Sequence, residues 1–172
     1  VTGNTITNLT TGSARVSATL AGIHHLGTTS PTIISGNTIH SLANTAASAA
    51  VVGYGIYCSG TTSGTFRLEK NLIHSISLST TNTGALLEGI YIASGLYRVA
   101  NNMVRLGIDK DGANISGNFI ISGIRKVTST ANSILFNSVF IGGSVSSSTN
   151  HTYALRRSSV STTDSLFNNI LV

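Results

Sequence analysis

Ile34-Ser35-Gly36-Asn37-Thr38-Ile39 sets an aliphatic residue three places before an asparagine and a β-branched aliphatic two places after it. The same pattern returns around Asn4, Asn37, Asn71, Asn102, Asn118, Asn137 and Asn168. The residue two places on is always aliphatic: Ile6, Ile39, Ile73, Val104, Ile120, Val139 and Ile170. The residue three places before is Val1, Ile34, Leu68, Val99, Ile115 or Ile134, with Ser165 the one exception. Self-similarity at a period of 20–50 residues marks a repeat architecture.

The asparagine spacings are 33, 34, 31, 16, 19 and 31 residues. A second marker orders them. Gly-Ile recurs at Gly22-Ile23, Gly55-Ile56, Gly89-Ile90, Gly107-Ile108 and Gly123-Ile124, with Ala154-Leu155 in the same role. Each coil then holds three short strands. One leads into the asparagine (Phe66 to Lys70), one follows it (Leu72 to Ile76), and one starts at Gly-Ile (Gly89 to Ala93). Length differences fall between the second and third of these. Inserts are expected at roughly 10–21, 43–54, 77–88 and 142–153, and none in coils four and five.

Strand residues alternate in and out with period two. One coil alone buries nothing, so coils must stack, giving three parallel sheets about 4.8 Å per coil. Parallel crossovers are right-handed in about 98% of cases. The expected fold is all-β: a right-handed parallel β-helix of about six coils and a partial seventh, one domain over 1–172. The asparagines are expected to take the left-handed bend at one corner and to hydrogen-bond along the axis as a ladder. The chain is expected to be a segment of a longer solenoid, with adjacent coils or capping domains as partners.

Composition agrees. Charged residues are 9% of the chain, where about 25% is usual. Ser, Thr, Asn and Gly fill the surface role. The formal charge of +5 attracts polyanions, but no basic run is interleaved with aromatics, so nucleic acid is not expected. Cys58 stands alone, which excludes an internal disulfide. No apolar run reaches membrane-spanning length.

The motifs around Asn37 and Asn118 resemble the generic repeats of the right-handed parallel β-helix superfamily, the pectate-lyase-like fold. The resemblance covers the whole chain. It implies that the asparagine ladder turns between the second and third sheets, and that the Gly-Ile strands form the first sheet, whose outer face bears active sites in the family's enzymes. The Thr/Ser/Asn-rich style also resembles large secreted surface proteins of bacteria, which implies an extracellular or cell-surface location.

On the first sheet the outward column is expected to read His24, Tyr57, Tyr91, Asp109, Arg125 and Arg156. Missing inserts in coils four and five would leave a notch over it, with Lys110, Asp111, Lys126 and Arg157 nearby. Aromatic faces pack on sugar rings and keep a polar tip in water. Tyr57, Tyr91, Asp109, Arg125 and Arg156 are therefore the candidate ligand-binding residues, for a polysaccharide or cell-surface glycan. The leading expectation is a non-catalytic structural or adhesive module. The alternative is a polysaccharide lyase or glycoside hydrolase in the notch, with Asp109, Asp111 and Arg125 as catalytic candidates and Glu88 as a further acid.

No cofactor is expected. Asp109-Lys110-Asp111-Gly112 resembles part of a calcium loop, but that ion needs six to eight oxygen ligands. His40 and His74 share an outward position in consecutive coils, with Arg105 next in the column; without a third ligand they read as a stacked surface pair, and no metal site is expected.

Overall fold

A computed structural model describes residues 1–29, 31–145, 150–158 and 163–172. The described residues form a parallel β-solenoid of about five coils with no helix. The first sheet stacks Thr19–Leu26, Val52–Ser59, Leu86–Ser94, Ile120–Lys126 and Thr152–Arg157. The second stacks Ile33–Ser35, Phe66–Glu69, Tyr97–Ala100, Ser133–Leu135 and Ser165–Phe167. The third, after the asparagine corner, stacks Thr5–Thr7, Thr38–Asn44, Leu72–Leu78, Met103–Leu106, Ser138–Ile141 and Ile170–Leu171, with Thr10–Thr11 paired beside Thr38–Asn44.

Each sheet sends one aliphatic column to the axis. The first contributes Ile23, Ile56, Ile90, Ile124 and Leu155. The second contributes Ile34, Leu68, Val99, Ile134 and Leu166. The third contributes Ile6, Ile39, Ile73, Val104, Val139 and Leu171. In the middle coils these side chains are fully buried, so the hydrophobic effect acts between coils and not within one.

The ladder is present and runs Asn4, Asn37, Asn71, Asn102, Asn137, Asn169. Each backbone N–H and Nδ2 donates to Oδ1 of the asparagine one coil on, at 2.9–3.1 Å. Two expected members are corrected. Asn118 is not in the ladder, because Asn102 reaches Asn137 directly. Asn168 is replaced by its neighbour Asn169. With that shift the exception at Ser165 disappears: Leu166 lies three before Asn169 and Leu171 two after. A one-residue slip exchanges inside for outside, and Ile170 accordingly faces out.

The bend itself belongs to the residue before each asparagine. Gly3, Gly36, Lys70, Asn101, Phe136 and Asn168 all take positive φ, between 51° and 66°. The asparagine does not take the left-handed turn; it satisfies the buried corner that the turn creates.

The coil count falls because the expected coils four and five are one. Gly107-Ile108 starts no first-sheet strand. Ile108 bridges Asn114, and Ile115 N–H donates to Gly107 O at 2.9 Å. The segment 107–119 is an excursion that returns Ile115 and Phe119 to the core. Comparable excursions occupy 12–18, 45–51 and 79–85 between the third and first sheets, and the described residues 142–145 and 150–151 flank another junction of that kind. Among the described residues the junction at 107–119, where the notch was expected, carries such an excursion, so the expected notch is not formed.

The glycine that recurs before the inward isoleucines of the first sheet has a steric cause. A Cβ on Gly55 would lie 2.5 Å from Ile73 Cγ2 and 2.6 Å from the Gly89 carbonyl oxygen. The third-sheet isoleucines press against the first sheet at that point. Gly55 and Ile56 are both buried, so alternation breaks there. Tyr54 and Tyr57, three residues apart, both face outward as a result.

Candidate functional site

That break gives the first sheet two outward columns. One is His24, Tyr57, Tyr91, Arg125 and Arg156, paired coil to coil. The other is Ala21, Tyr54, Glu88, Ser122 and Tyr153, paired in the same way. The expected column is therefore assembled, except for Asp109.

The rings form a continuous surface. His24 and Tyr57 lie 4.4 Å apart between centroids, Tyr57 and Tyr91 5.4 Å, and Tyr54 and Tyr91 5.2 Å. The cations extend it. The Arg125 guanidinium sits 5.4 Å from the Tyr91 ring centre, and that of Arg156 5.1 Å from Tyr153. Such spacings are within cation–π range.

Beneath them is Glu88, whose side chain is 0% exposed. Arg125 Nη1 donates to its Oε1 at 2.7 Å. Burial raises the Glu88 pKa above the ordinary carboxylate value, while Arg125 and then Arg156 pull it back. Burial also raises the phenol pKa of Tyr54 and Tyr91, and the Glu88 charge adds to both shifts. These phenols are neutral hydrogen-bonding groups.

Buried polar atoms without a partner are rare in native folds, and each calls for a reason. Among the described residues there are five such side-chain atoms, and four lie here: Glu88 Oε2, Ser122 Oγ, Arg125 Nε and Arg156 Nη1. Polar capacity left open beneath a ring surface is what a site for a polar ligand, or its ordered water, has.

The other candidates lie elsewhere. Asp109 and Asp111 belong to the 107–119 excursion, which folds against the third sheet. With Asn8, Thr10, Ser41, Leu42, Ala43, Ser75, Ser77 and Lys110 they line a cavity of about 260 Å³. Asp109 Oδ1 accepts the N–H groups of Asp111 and Ala113, both at 2.9 Å, and Lys110 pairs with Asp111 at 2.7 Å in solvent. Neither acid joins Glu88, so the acid pairs expected there are not assembled. Lys126 and Arg157 also leave the face: both pair with Asp164, at 2.7 and 2.8 Å, in the corner toward the second sheet.

His40 and His74 stack as expected, 4.9 Å apart with planes 2° from parallel. Their Nδ1 atoms meet Ser41 and Ser75 Oγ at 3.0 and 2.9 Å. Parallel ring planes send the remaining nitrogen lone pairs along parallel lines, not toward one ion. No group of three or more His, Cys, Asp or Glu suited to a metal occurs among the described residues. Cys58 is fully buried, and burial pushes its thiol up to about 12. No helix of the described residues is long and apolar enough to cross a membrane.

Tyr54, Glu88, Ser122 and Tyr153 were not anticipated as a second column. They hold the position immediately before each Gly-Ile marker or its equivalent, which a reading of fixed alternation assigns to the wrong face. Comparisons of the chain with family models, curated proteins and solved structures find no match.

Proposed function

We propose that the chain is a non-catalytic module of a secreted or cell-surface protein, a β-helix of the pectate-lyase-like kind, that holds an extended glycan along the first sheet. The observation that carries this reading is the in-register run of Tyr57, Tyr91, Arg125 and Arg156 over buried, unpartnered polar atoms. Sugar rings stack on Tyr57 and Tyr91, and their hydroxyls bond to Arg125 and Arg156. The strand step of about 4.8 Å repeats the platform along the solenoid axis, which suits a polymer better than a single sugar. A surface coated in Ser, Thr, Asn and Gly supports an extracellular setting, and the ladder at the corner between the second and third sheets supports the pectate-lyase-like assignment.

The enzymatic alternative, a polysaccharide lyase or glycoside hydrolase, draws on Glu88, since burial raises its pKa as a general acid requires. Two-carboxylate hydrolysis needs a second acid within about 5–9.5 Å. The first-sheet strands carry none besides Glu88. The non-catalytic reading therefore fits better than glycoside hydrolysis.

A glycan array followed by calorimetry on the best ligand tests it. Tyr91→Ala should weaken binding roughly tenfold, from lost ring packing. Binding to no glycan, or unchanged affinity in Tyr91→Ala and Arg156→Ala, would remove the reading. Turnover of the bound glycan that Glu88→Gln abolishes would establish the enzyme instead.

A further inference from the structure

The outer face of the third sheet carries a second surface, independent of the tyrosine column. Its outward positions begin as Thr5, Thr7, Thr38 and His40, matching the polar coat. From the third coil on they change. Leu72, Met103, Phe140, Ile170 and Val172 gather along one open groove of about 430 Å³. Met103 is 58% exposed, a large apolar side chain held in water. The step from Leu72 to Ile170 crosses three strand spacings, about 14 Å, through Met103 and Ser138.

His74 and Arg105 sit in register at the side of this groove. No Asp or Glu side chain lines it among the described residues. Arg105 makes no ion pair among the described residues. Its Nη2 donates to Ser75 Oγ at 3.2 Å, which leaves Nε and Nη1 for another acceptor. An apolar trough with one placed cation has the form of a small-molecule site. A guanidinium prefers a planar carboxylate, held by two parallel hydrogen bonds. A peptide strand fits poorly, because a sheet face offers no free main-chain groups to bond it.

We propose that this groove binds a long-chain carboxylate, with the head group on Arg105 beside His74 and the alkyl tail laid over Met103, Phe140 and Ile170. Charge selects the anion over a cationic amphiphile, and the apolar side chains beyond Arg105 cover two strand spacings, about 10 Å, of the tail.

Titration of the chain into a dansyl-labelled undecanoate tests this directly. Fluorescence should rise and shift to the blue, and unlabelled dodecanoate should reverse it while dodecyltrimethylammonium does not. Arg105→Ala should weaken binding roughly tenfold through loss of a charge-assisted bond. Met103→Asp should weaken it at least as much. Both side chains are exposed, and far-UV circular dichroism checks that the variants fold. Tyr91→Ala should bind the fatty acid as the parent does, which separates this site from the glycan platform. The proposal is overturned by no fluorescence change, by unaltered affinity in both groove variants, or by equal displacement with the cationic amphiphile. It is also overturned if only anionic vesicles bind and not the free carboxylate, or if sedimentation shows a dimer that dodecanoate fails to disperse.

Discussion

Asn102 donates its backbone N–H and its Nδ2 to Asn137 Oδ1, at 3.0 and 2.9 Å, across 35 residues of chain. Its own Oδ1 accepts the same two bonds from Asn71, and its Nδ2 also reaches Leu68 O at 2.9 Å. Asn102→Ala would leave the Asn71 backbone N–H and one Asn71 Nδ2 hydrogen without an acceptor, and would remove the bond to the Leu68 carbonyl, all in a buried corner. At about 1–3 kcal/mol for each unsatisfied group, the loss should be roughly 3 kcal/mol or more. Asn118 looks equivalent in sequence, but its Oδ1 is already buried without a partner. Asn118→Ala should stay within about 1 kcal/mol of the parent. Urea midpoints of the two variants check the contrast, and equal losses would count against the ladder as drawn.

Lys70 holds φ at 56° in the turn position that Gly3 and Gly36 fill in the first two coils. A left-handed conformation costs a residue with a Cβ about 1–2 kcal/mol. Glycine gives part of that back through the freer unfolded chain, about 0.4–1 kcal/mol. Lys70→Gly should therefore stabilise by roughly 0.5–1 kcal/mol. The reverse change, Gly36→Lys, should destabilise by a similar amount, since a Cβ there meets nothing closer than 3.9 Å and only strain is added. Thermal melts of both variants read the two signs.

The architecture was legible because the repeat imposes the same burial on every coil. The three strands, the three axial columns and the in-register run from His24 to Arg156 all follow from it. Asn118 misled because Ile115 and Ile120 satisfy the same apolar spacing; Ile115 is indeed buried, but at the end of an excursion and not at a corner. The doublet Asn168-Asn169 offered two registers, and the bonds that choose between them run along the axis, where a linear pattern carries no information. In the sequence Glu88 stands out only as a further acid. Its burial arises from Tyr54, Arg125 and Arg156 closing over it from three different coils, and the kink at each Gly-Ile marker put it on the outer face at all.

His74 and His25 make stability depend on pH. Burial lowers the pKa of both; the neighbouring His40 and Arg105 lower His74 further, and the terminal amino group lowers His25. For a histidine with a folded value below 6.5, the unfolded chain binds more protons in the window between the two values. Stability is then full above the unfolded value and falls as pH drops through 6.5 to the folded value. Urea midpoints should decline from pH 8 to pH 5, and the double variant His25→Gln/His74→Gln should flatten that decline. Glu88 acts in the opposite sense, being favoured in its protonated form, so Glu88→Gln should steepen it. A slope unchanged by the histidine variants would show that other groups carry it.

Arg125, 17% exposed, is the hydrogen-bonded cation that compensates a carboxylate with no exposure at all. Removing one partner of a buried pair leaves the other charge uncompensated, at about 3–5 kcal/mol. Arg125→Ala should show a loss of that order at neutral pH. Glu88→Gln should cost less, because the amide oxygen still accepts from Arg125 and the charge that remains, on Arg125, keeps partial contact with solvent. The double variant should recover most of the Arg125→Ala loss. Acid supplies an independent check. Glu88 already has its pKa raised by burial, and without Arg125 that rise is no longer opposed at its nearest point. Its contribution is then full below the ordinary carboxylate value and lost as pH climbs through the raised one, so the Arg125→Ala deficit should shrink on acidification from pH 7.5 toward 4.5. Equal deficits at both pH values would mean that Arg125 acts through packing on Tyr91 and not through the charge it covers.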